Sequence, residues 1–331
     1  MTRLMGGVSR QSHASTFPPD RFFCLLDELP LHLIPRHATG LQVPDDAEPL
    51  FLNPDCMICP DGVVPEELSQ RRDLLSGFSI QGTMAWVRRR EPPSLLPFWL
   101  GPEIEAVVRG LRPEQPVSSC LPRELRNLLA AAKILVSKKR AFDQPSEQNL
   151  HQTGTLFRER GYAPLASLIH PFHVAALRRY YRYLIRSGAL RLGDGQSSQR
   201  YVAYNEPVAR FFHHQIAATL STIAGEPLKP SYVYLASYFG GAELQKHTDR
   251  EQCEFSVTLC LDFSPEPELE TPWPIHLDTP AGTVTVYQAM GDGLAYRGTR
   301  LPHYRSKLGE GLTSTSIFFH YVAADFPGSL R

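Results

Sequence analysis

One short stretch of the sequence pairs a histidine with a carboxylate at a spacing that suits metal binding. His247 and Asp249 stand two residues apart, just before the alternating apolar segment 255–261. In an extended strand, residues i and i+2 point to the same face of a sheet, so the imidazole and the carboxylate would lie side by side. Two histidines and one carboxylate on one face form a common iron(II) site. The pair therefore predicts a metal site that needs one more histidine.

Three downstream histidines are candidates for the missing ligand. His303 follows a Gly-Asp turn and a short predicted strand, far enough after His247 for intervening strands to bring two strand ends together. His276 follows a Trp-Pro-Ile stretch and has the setting of an ordinary sheet residue. His320 lies in the centre of the apolar segment 317–322, where it would be buried in the core or face a bound cosubstrate. The residue pattern alone leaves the choice open.

The composition is that of a soluble globular protein. The 331 residues are 42% hydrophobic and 21% charged, and the 34 basic and 34 acidic side chains balance. A chain without net charge has no general attraction for nucleic acid or membranes, so neither is expected as a partner. No apolar leader opens residues 1–20, and the six cysteines are too few for a disulfide scaffold. We therefore expect reduced thiols in the cytoplasm, with Cys56 and Cys59 as incidental residues.

The chain is predicted to have three parts. Residues 1–20 form a flexible tail, and residues 21–150 form an N-terminal extension of mixed elements with helices at 103–111 and 123–137. The polar segment 138–149 has the composition of a linker. Residues 151–331 then contain every candidate metal ligand. This last part is the predicted catalytic domain.

Two helices and a series of short strands are predicted after the linker. The first helix has an apolar face around Leu177 and stops at Gly188; the second begins at Asn205 as the N-cap and ends before Gly225. His213, on the second helix, is expected at the surface or the rim. Strands are predicted at 231–238, 255–261, 273–277, 283–288, 293–298 and 315–322. This order favours an α+β fold in which helices support a double-sheet jelly roll.

Two segments resemble a known family of oxygenases. Residues 238–249, YFGGAELQKHTD, and residues 291–305, GDGLAYRGTRLPHYR, resemble the metal-binding segments of the iron(II)/2-oxoglutarate dioxygenases. The similarity is greatest to the prolyl 4-hydroxylase-like branch and covers about residues 165–325. It implies a double-stranded β-helix that binds Fe(II) through His247, Asp249 and His303. It also implies 2-oxoglutarate and O2 as cosubstrates, with ascorbate as a reductant.

The sequence departs from the family pattern where 2-oxoglutarate binds. That pattern places an Arg or Lys nine or ten residues after the distal histidine, to bind the 5-carboxylate, but Leu312 and Thr313 occupy those positions. A buried carboxylate needs a cationic partner. Arg305 is the expected replacement, because it follows His303 by two residues and its planar fork suits a carboxylate. Arg250 and Arg297 are the alternatives.

Hydroxyl groups are the other predicted contacts of the cosubstrate. Thr313 or Ser314 would supply a hydroxyl beside the carboxylate. Tyr238 matches a tyrosine that often lines the cosubstrate pocket in this family, although an aromatic residue at this position also suits an ordinary sheet.

The resemblance implies hydroxylation of an unactivated C–H bond, with release of succinate and CO2. The substrate would be an amino acid, or a side chain of a peptide or protein. The first 150 residues would then cap the site, recognise the substrate or only stabilise the fold. Two alternatives remain: a non-catalytic metal-binding β-helix that acts as a sensor or binding module, and a zinc-dependent hydrolase built on the same three ligands.

Overall fold

The protein is an α+β structure with more strands than helices. The computed structural model describes residues 17–27, 29, 34, 48–117, 121–137 and 146–330. The helices are α1 (Glu66–Ser69), α2 (Pro102–Gly110), α3 (Arg123–Ala131), α4 (Ser146–Arg160), α5 (Pro171–Arg186) and α6 (Pro207–Ala224). Short 3-10 helices span Arg72–Leu75 and Glu251–Cys253. None of the described helices is both long and apolar enough to cross a membrane.

The described residues form sixteen strands, numbered in chain order. They are β1 (Leu50–Leu52), β2 (Cys56–Cys59), β3 (Thr83–Arg89), β4 (Ser94–Leu100), β5 (Leu135–Ser137), β6 (Tyr162–Leu165), β7 (Arg191–Leu192), β8 (Arg200–Tyr204), β9 (Leu228–Phe239), β10 (Leu244–His247), β11 (Phe255–Ser264), β12 (Ile275–Thr279), β13 (Gly282–Val286), β14 (Gly293–Arg297), β15 (His303–Arg305) and β16 (Thr313–Ala323).

Among the described residues the strands form four sheets, and two of these sheets hold the candidate site. The larger has seven antiparallel strands in the order β6-β14-β11-β16-β9-β8-β7, and the smaller has four in the order β10-β15-β12-β13. All six predicted strands are present with shifted ends. The short strands β6, β7 and β8 were not predicted.

The two faces of the seven-stranded sheet differ in polarity. Along β11, Val257 and Leu259 belong to the same apolar core as residues of α5 and α6. Ser256 and Thr258 alternate with them and point to the opposite face. Directly across the neighbouring strand β16, His320 is paired with Ser256, so it shares that polar face. Burial of the apolar face against the helices thus leaves a polar face toward the smaller sheet.

The two sheets face each other across this polar surface. Tyr296 of β14 packs in one apolar cluster with Ile275 and Leu277 of β12. The ring of Tyr238 in β9 lies 5.0 Å from that of Trp273, just before β12. These contacts join the sheets into a double layer with helices on its outer side, so the predicted jelly-roll architecture is confirmed.

The ends of the helices differ from prediction at two places. The N-cap of α6 is Glu206, whose side chain accepts from the Ala209 N–H at 2.9 Å. Asn205, the predicted N-cap, instead accepts a hydrogen bond from the backbone of Val233 at 3.0 Å. The predicted helix 123–137 ends at Ala131, because the left-handed Lys133 (φ 59°) turns the chain into β5.

His213 was predicted at the surface, and that prediction is wrong. It is 2% exposed, and its Nε2 lies 2.8 Å from the carbonyl oxygen of His320. Because α6 packs on the main sheet, this side of the helix is covered. Burial lowers the pKa of His213 well below its usual value, so the ring is neutral.

The described part of the N-terminal extension packs against the helices. Phe22 contacts Phe212 of α6 edge to face at 5.8 Å, and the Leu95 N–H donates to Gln215 Oε1 at 2.6 Å. Phe17, inside the predicted tail, is buried and stacks on Phe23 at 4.7 Å. The extension therefore covers the helix layer, and a capping or recognition role stays a prediction.

The predicted tail and linker fall mostly outside the described residues, which exclude 1–16 and 138–145. Residues 146–149 were assigned to the linker, but they form the first turn of α4. The predicted boundary between residues 150 and 151 accordingly falls inside this helix.

Candidate metal centre

The three predicted ligands come together at one end of the smaller sheet. His247 is the last residue of β10, His303 is the first residue of β15, and the two are direct partners across the antiparallel pair. Their ring centroids are 4.4 Å apart. Asp249 Oδ1 lies 3.7 Å from His247 Nε2 and 3.6 Å from His303 Nε2. Two imidazoles and one carboxylate therefore converge on one point.

Asp249 reaches this point by a route that differs from the expected one. It lies beyond the end of β10, so strand alternation does not place it beside His247. Its backbone N–H donates to the Gly298 carbonyl at 2.9 Å, which fixes the loop. A Cβ atom at Gly298 would lie 2.3 Å from Asp249 Oδ2 and 2.4 Å from the Cys253 carbonyl oxygen. Only glycine permits this close approach.

Hydrogen bonds orient both histidines for metal binding. His247 Nδ1 lies 2.8 Å from the Gln245 carbonyl oxygen, and His303 Nδ1 lies 3.0 Å from that of Leu301. A carbonyl oxygen only accepts, so each Nδ1 carries a proton, and the lone pair of the neutral ring that a metal requires lies on Nε2. The two Nε2 atoms are the ones nearest Asp249. The tautomers are thus set for coordination.

The donor set fits a single divalent ion. Metal–ligand distances of about 2.0–2.2 Å for histidine nitrogen and carboxylate oxygen allow one ion to bridge atoms up to about 4 Å apart. Both separations from Asp249 Oδ1 are below that limit. Burial lowers the pKa of His303, against the opposing effect of the Asp249 charge, and so favours the neutral ring that binds a metal.

Two buried residues hold the free side of the carboxylate. Ser256 Oγ lies 2.8 Å from Asp249 Oδ2 and 2.9 Å from His320 Nδ1. The one hydroxyl proton of Ser256 goes to the charged carboxylate, so His320 Nδ1 donates to Ser256. These hydrogen bonds occupy Asp249 Oδ2 and leave Oδ1 for a metal. The alternation of polar residues in β11 was visible in the sequence, but the contact with Asp249 was not.

Replacing Ser256 by alanine is expected to weaken metal binding. Loss of a hydrogen bond that orients a ligand typically lowers metal affinity about 10–100-fold. The dissociation constant of iron(II), measured anaerobically, checks this. Ser316→Ala is the matched control. Ser316, on the neighbouring strand β16, is buried like Ser256, but its hydroxyl has no hydrogen-bond partner in the described structure. An equal loss in both variants would contradict a specific role for Ser256.

Arg305 is a buried cation on the same strand as His303. It is 4% exposed, and its guanidinium donates to the Trp273 carbonyl and to Gln288 Oε1 at 3.4 Å. Among the described residues, no carboxylate forms an ion pair with it, and its Nε has no hydrogen-bond partner. A buried charge without a counter-ion is costly. Arg305 is therefore suited to binding an anion that enters the space between the sheets.

Tyr238 lies close to this cation. It is 1% exposed, and both its ring and the guanidinium of Arg305 pack on Trp273. Its hydroxyl accepts from Arg200 Nη1 at 3.0 Å, so its own proton is free to be donated. Arg200, which sequence reasoning missed, is held in turn by an ion pair with Asp194 at 2.5 Å. Tyr238 thus lies on the inner face of the seven-stranded sheet, the face toward the smaller sheet. A role in lining the cosubstrate pocket requires this position.

The alternative basic residues have other neighbours. Arg250 is exposed and lies over the ring of Tyr232 at 4.6 Å. Arg297 lies over the ring of Phe255 at 4.2 Å and pairs with Glu254 at 3.4 Å. In the described structure neither guanidinium lies over the ring of Trp273, as that of Arg305 does at 4.9 Å. Of the three arginines, Arg305 is therefore the best placed to bind an anion between the sheets.

The two predicted hydroxyl donors lie on opposite faces of the sheet. Thr313 is exposed and is paired across the strands with Phe239. Ser314 is buried and is paired with Tyr238, so it shares the inner face. The geometry favours Ser314 over Thr313. Neighbouring residues of a strand point to opposite faces of the sheet. The sequence did not fix the register of this strand to within one residue, so it could not decide between Thr313 and Ser314.

His276 is not part of the metal centre. It lies in β12, where its Nδ1 is 3.0 Å from Thr285 Oγ1 and its ring stacks on Tyr304 at 4.8 Å. The interpretation of His276 as a sheet residue is confirmed.

Comparisons with known proteins find similarity in structure only. No family model matches the sequence, and no curated protein matches it. Similar solved structures include the non-heme alpha-ketoglutarate-dependent epimerase SnoN from nogalamycin biosynthesis (16% identity, TM-score 0.46, covering 56% of this chain and 91% of that one). A prolyl-4-hydroxylase from Pseudomonas putida is 16% identical (TM-score 0.43, 52% and 98% covered). A 2OG-Fe(II) oxygenase family oxidoreductase from Burkholderia pseudomallei is 14% identical (TM-score 0.43, 56% and 95% covered).

Proposed function

We propose that this protein is an iron(II)- and 2-oxoglutarate-dependent dioxygenase that hydroxylates an unactivated C–H bond and releases succinate and CO2. One observation carries the proposal: His247 Nε2 and His303 Nε2 converge on Asp249 Oδ1, and both rings are already in the tautomer that binds a metal. Three ligands on one side of an ion leave positions for a chelating cosubstrate and for O2.

Each residue of the site has a distinct role in this proposal. His247, Asp249 and His303 would hold the iron, which supplies the oxidising chemistry with O2 when it is bound. Arg305 binds the 5-carboxylate of 2-oxoglutarate, and Tyr238 donates its hydroxyl proton to the same group. The surrounding aromatic residues exclude water, which strengthens both contacts.

The exposure of the ligands indicates where a substrate enters. The side chain of His247 is 28% exposed, that of Asp249 is 12% exposed and that of His303 is 3% exposed. The site therefore opens on the His247 side, away from the buried Arg305. On the resemblance to the prolyl 4-hydroxylase-like branch, we infer that an amino acid or a side chain of a peptide or protein enters there. We also propose a cytoplasmic setting, on the expectation from the cysteine usage that the thiols are reduced.

Arg305 also counts against the non-catalytic alternative. The absence of an Arg or Lys nine or ten residues after His303 would be explained if the protein were a sensor or binding module without turnover. A buried guanidinium without an acidic partner among the described residues can take over that contact. The oxygenase is therefore the better proposal.

Anaerobic titration with iron(II) and 2-oxoglutarate tests the proposal. We expect a weak visible charge-transfer band that appears only when both are present, with one equivalent of each per chain. Admission of O2 should then discharge the band and release succinate. Formation of the band without any succinate would favour the binding module, and iron binding without a band would overturn the role of 2-oxoglutarate.

A further inference from the structure

Arg200 is a buried arginine whose guanidinium divides its hydrogen bonds between two partners. It is 3% exposed and lies on β8, directly across from Tyr238 of β9. Its Nε and Nη2 donate to Asp194 Oδ2 at 3.0 and 2.5 Å, and its Nη1 donates to the Tyr238 hydroxyl at 3.0 Å. The guanidinium is planar, so the two bonds to Asp194 fix the direction in which Nη1 points. The roles proposed above use Tyr238 but give none to Arg200.

Asp194 is itself held in place by its neighbours. The Tyr234 hydroxyl donates to the same Oδ2 that accepts from Arg200. The other oxygen, Oδ1, accepts from the backbone N–H groups of Gln196 and Ser197 at 2.9 and 3.0 Å. Burial alone raises the pKa of Asp194, but these hydrogen bonds and those from Arg200 lower it to about 2, so the carboxylate is charged. It is thus a fixed anchor for the guanidinium.

The bond from Arg200 determines which way the Tyr238 proton points. A guanidinium only donates, so the Tyr238 oxygen accepts and its own proton points elsewhere. No described residue accepts a hydrogen bond from this hydroxyl. Burial raises the pKa of Tyr238 against the lowering effect of Arg200 and Arg305, so the hydroxyl stays protonated. It is therefore a neutral donor without an acceptor, close to a buried cation without a counter-ion among the described residues.

We propose, on the basis of the dioxygenase function proposed above, that Arg200 is a positioning residue that aims the Tyr238 hydroxyl at the 5-carboxylate of 2-oxoglutarate. Arg200 acts through Tyr238 and not on the cosubstrate directly, because its own charge is paired with Asp194. Donation from a cation also polarises the phenol and strengthens the hydrogen bond that Tyr238 makes to an anion. The carboxylate is then bound by Arg305 on one side and by an oriented hydroxyl on the other.

Anaerobic titration of the iron(II)-loaded chain with 2-oxoglutarate, followed by the charge-transfer band, tests this role without turnover. Arg200→Met should raise the dissociation constant of 2-oxoglutarate at least about 10-fold, the usual cost of a lost hydrogen bond to a charged group. Tyr238→Phe should raise it by a similar factor. The double variant should exceed Tyr238→Phe by no more than about 2-fold, because Arg200 acts only through the hydroxyl. Losses that multiply in the double variant would contradict this.

A second buried arginine gives the matched control. Arg178→Met also removes a buried ion pair, with Asp262 at 2.8 Å, and should leave the dissociation constant within about 2-fold of the wild type. An equal loss in Arg178→Met and Arg200→Met would mean that Arg200 only supports the sheet. Turnover of Arg200→Met at saturating 2-oxoglutarate should stay within about 3-fold of the wild type, because the substitution removes binding and no iron ligand.

Arg200→Lys decides if Arg200→Met does not fold. Lysine can keep the ion pair with Asp194, but its single ammonium lacks the planar fork that reaches Tyr238 at the same time. The dissociation constant should then rise at least about 5-fold, and a wild-type value would reject the role of Arg200. A band in the wild type with an unchanged constant in Arg200→Met rejects this role alone. No band in the wild type rejects the proposed function, and the role of Arg200 with it.

Discussion

Iron-dependent succinate production should fall at least about 100-fold when His303 is replaced by alanine. Loss of a residue that only orients a ligand already costs about 10–100-fold in metal affinity, so loss of a ligand itself should cost more. His303 is also the most buried of the three ligands, at 3% side-chain exposure. Turnover and the anaerobic dissociation constant of iron(II) measure the loss.

The same result is expected for His247→Ala and Asp249→Ala, because each removes one of three ligands. His276→Ala is the matched control. Its imidazole lies in the same sheet, on β12, but is hydrogen-bonded to Thr285. This variant should keep turnover within about 2-fold of the wild type, as do most substitutions away from a site. Wild-type succinate production by His303→Ala would remove that residue from the metal centre.

The two-residue period of the strands made much of the domain predictable. In β11 the alternation of Val257 and Leu259 with Ser256 and Thr258 identified which face is apolar, and the structure packs that face on the helices. The strand that carries Tyr238 was predicted in the same way. The hydrophobic period is set by residues that are close together in the sequence, so it can be read from a single sequence.

Contacts between distant segments were not predictable in this way. Asp249 is placed by the backbone of Gly298, and its carboxylate is held by Ser256 and His320. Arg178 of α5 is 1% exposed and pairs with Asp262 at 2.8 Å. Burial of such a charge depends on a partner that is far away in the sequence. Only the packed structure brings the two together.

The position of Arg305 was an intermediate case. Its spacing of two residues from His303 placed it on the same face of a strand, and the structure buries both. The sequence could not reveal that the pocket around it offers Trp273 and Gln288 but no carboxylate among the described residues. Whether a carboxylate lies near Arg305 depends on every segment that packs around it. Its absence is also what distinguishes a binding site from an ordinary buried ion pair.

Replacing Arg305 by alanine should raise the concentration of 2-oxoglutarate required for turnover at least about 100-fold. This change corresponds to about 3 kcal/mol. Chelation to iron would satisfy only one carboxylate of the cosubstrate, so the other would be left without a cation in a buried space. The anaerobic affinity for iron(II) alone should stay nearly unchanged, since Arg305 forms no hydrogen bond or ion pair with any of the three ligands in the described structure.

The charge of the cosubstrate offers a second test of the same residue. With a 2-oxo acid that lacks the second carboxylate, wild type and Arg305→Ala should form the chelate with iron equally well. Such a cosubstrate has no carboxylate for Arg305 to bind, so removing the guanidinium costs no ion pair. Arg250→Ala is the control, since Arg250 is exposed and stacks on Tyr232. An unaltered 2-oxoglutarate requirement in Arg305→Ala, together with a raised one in Arg250→Ala, would assign the carboxylate to Arg250. A large loss with both cosubstrates would instead mean that Arg305 supports the sheet through its bonds to Trp273 and Gln288.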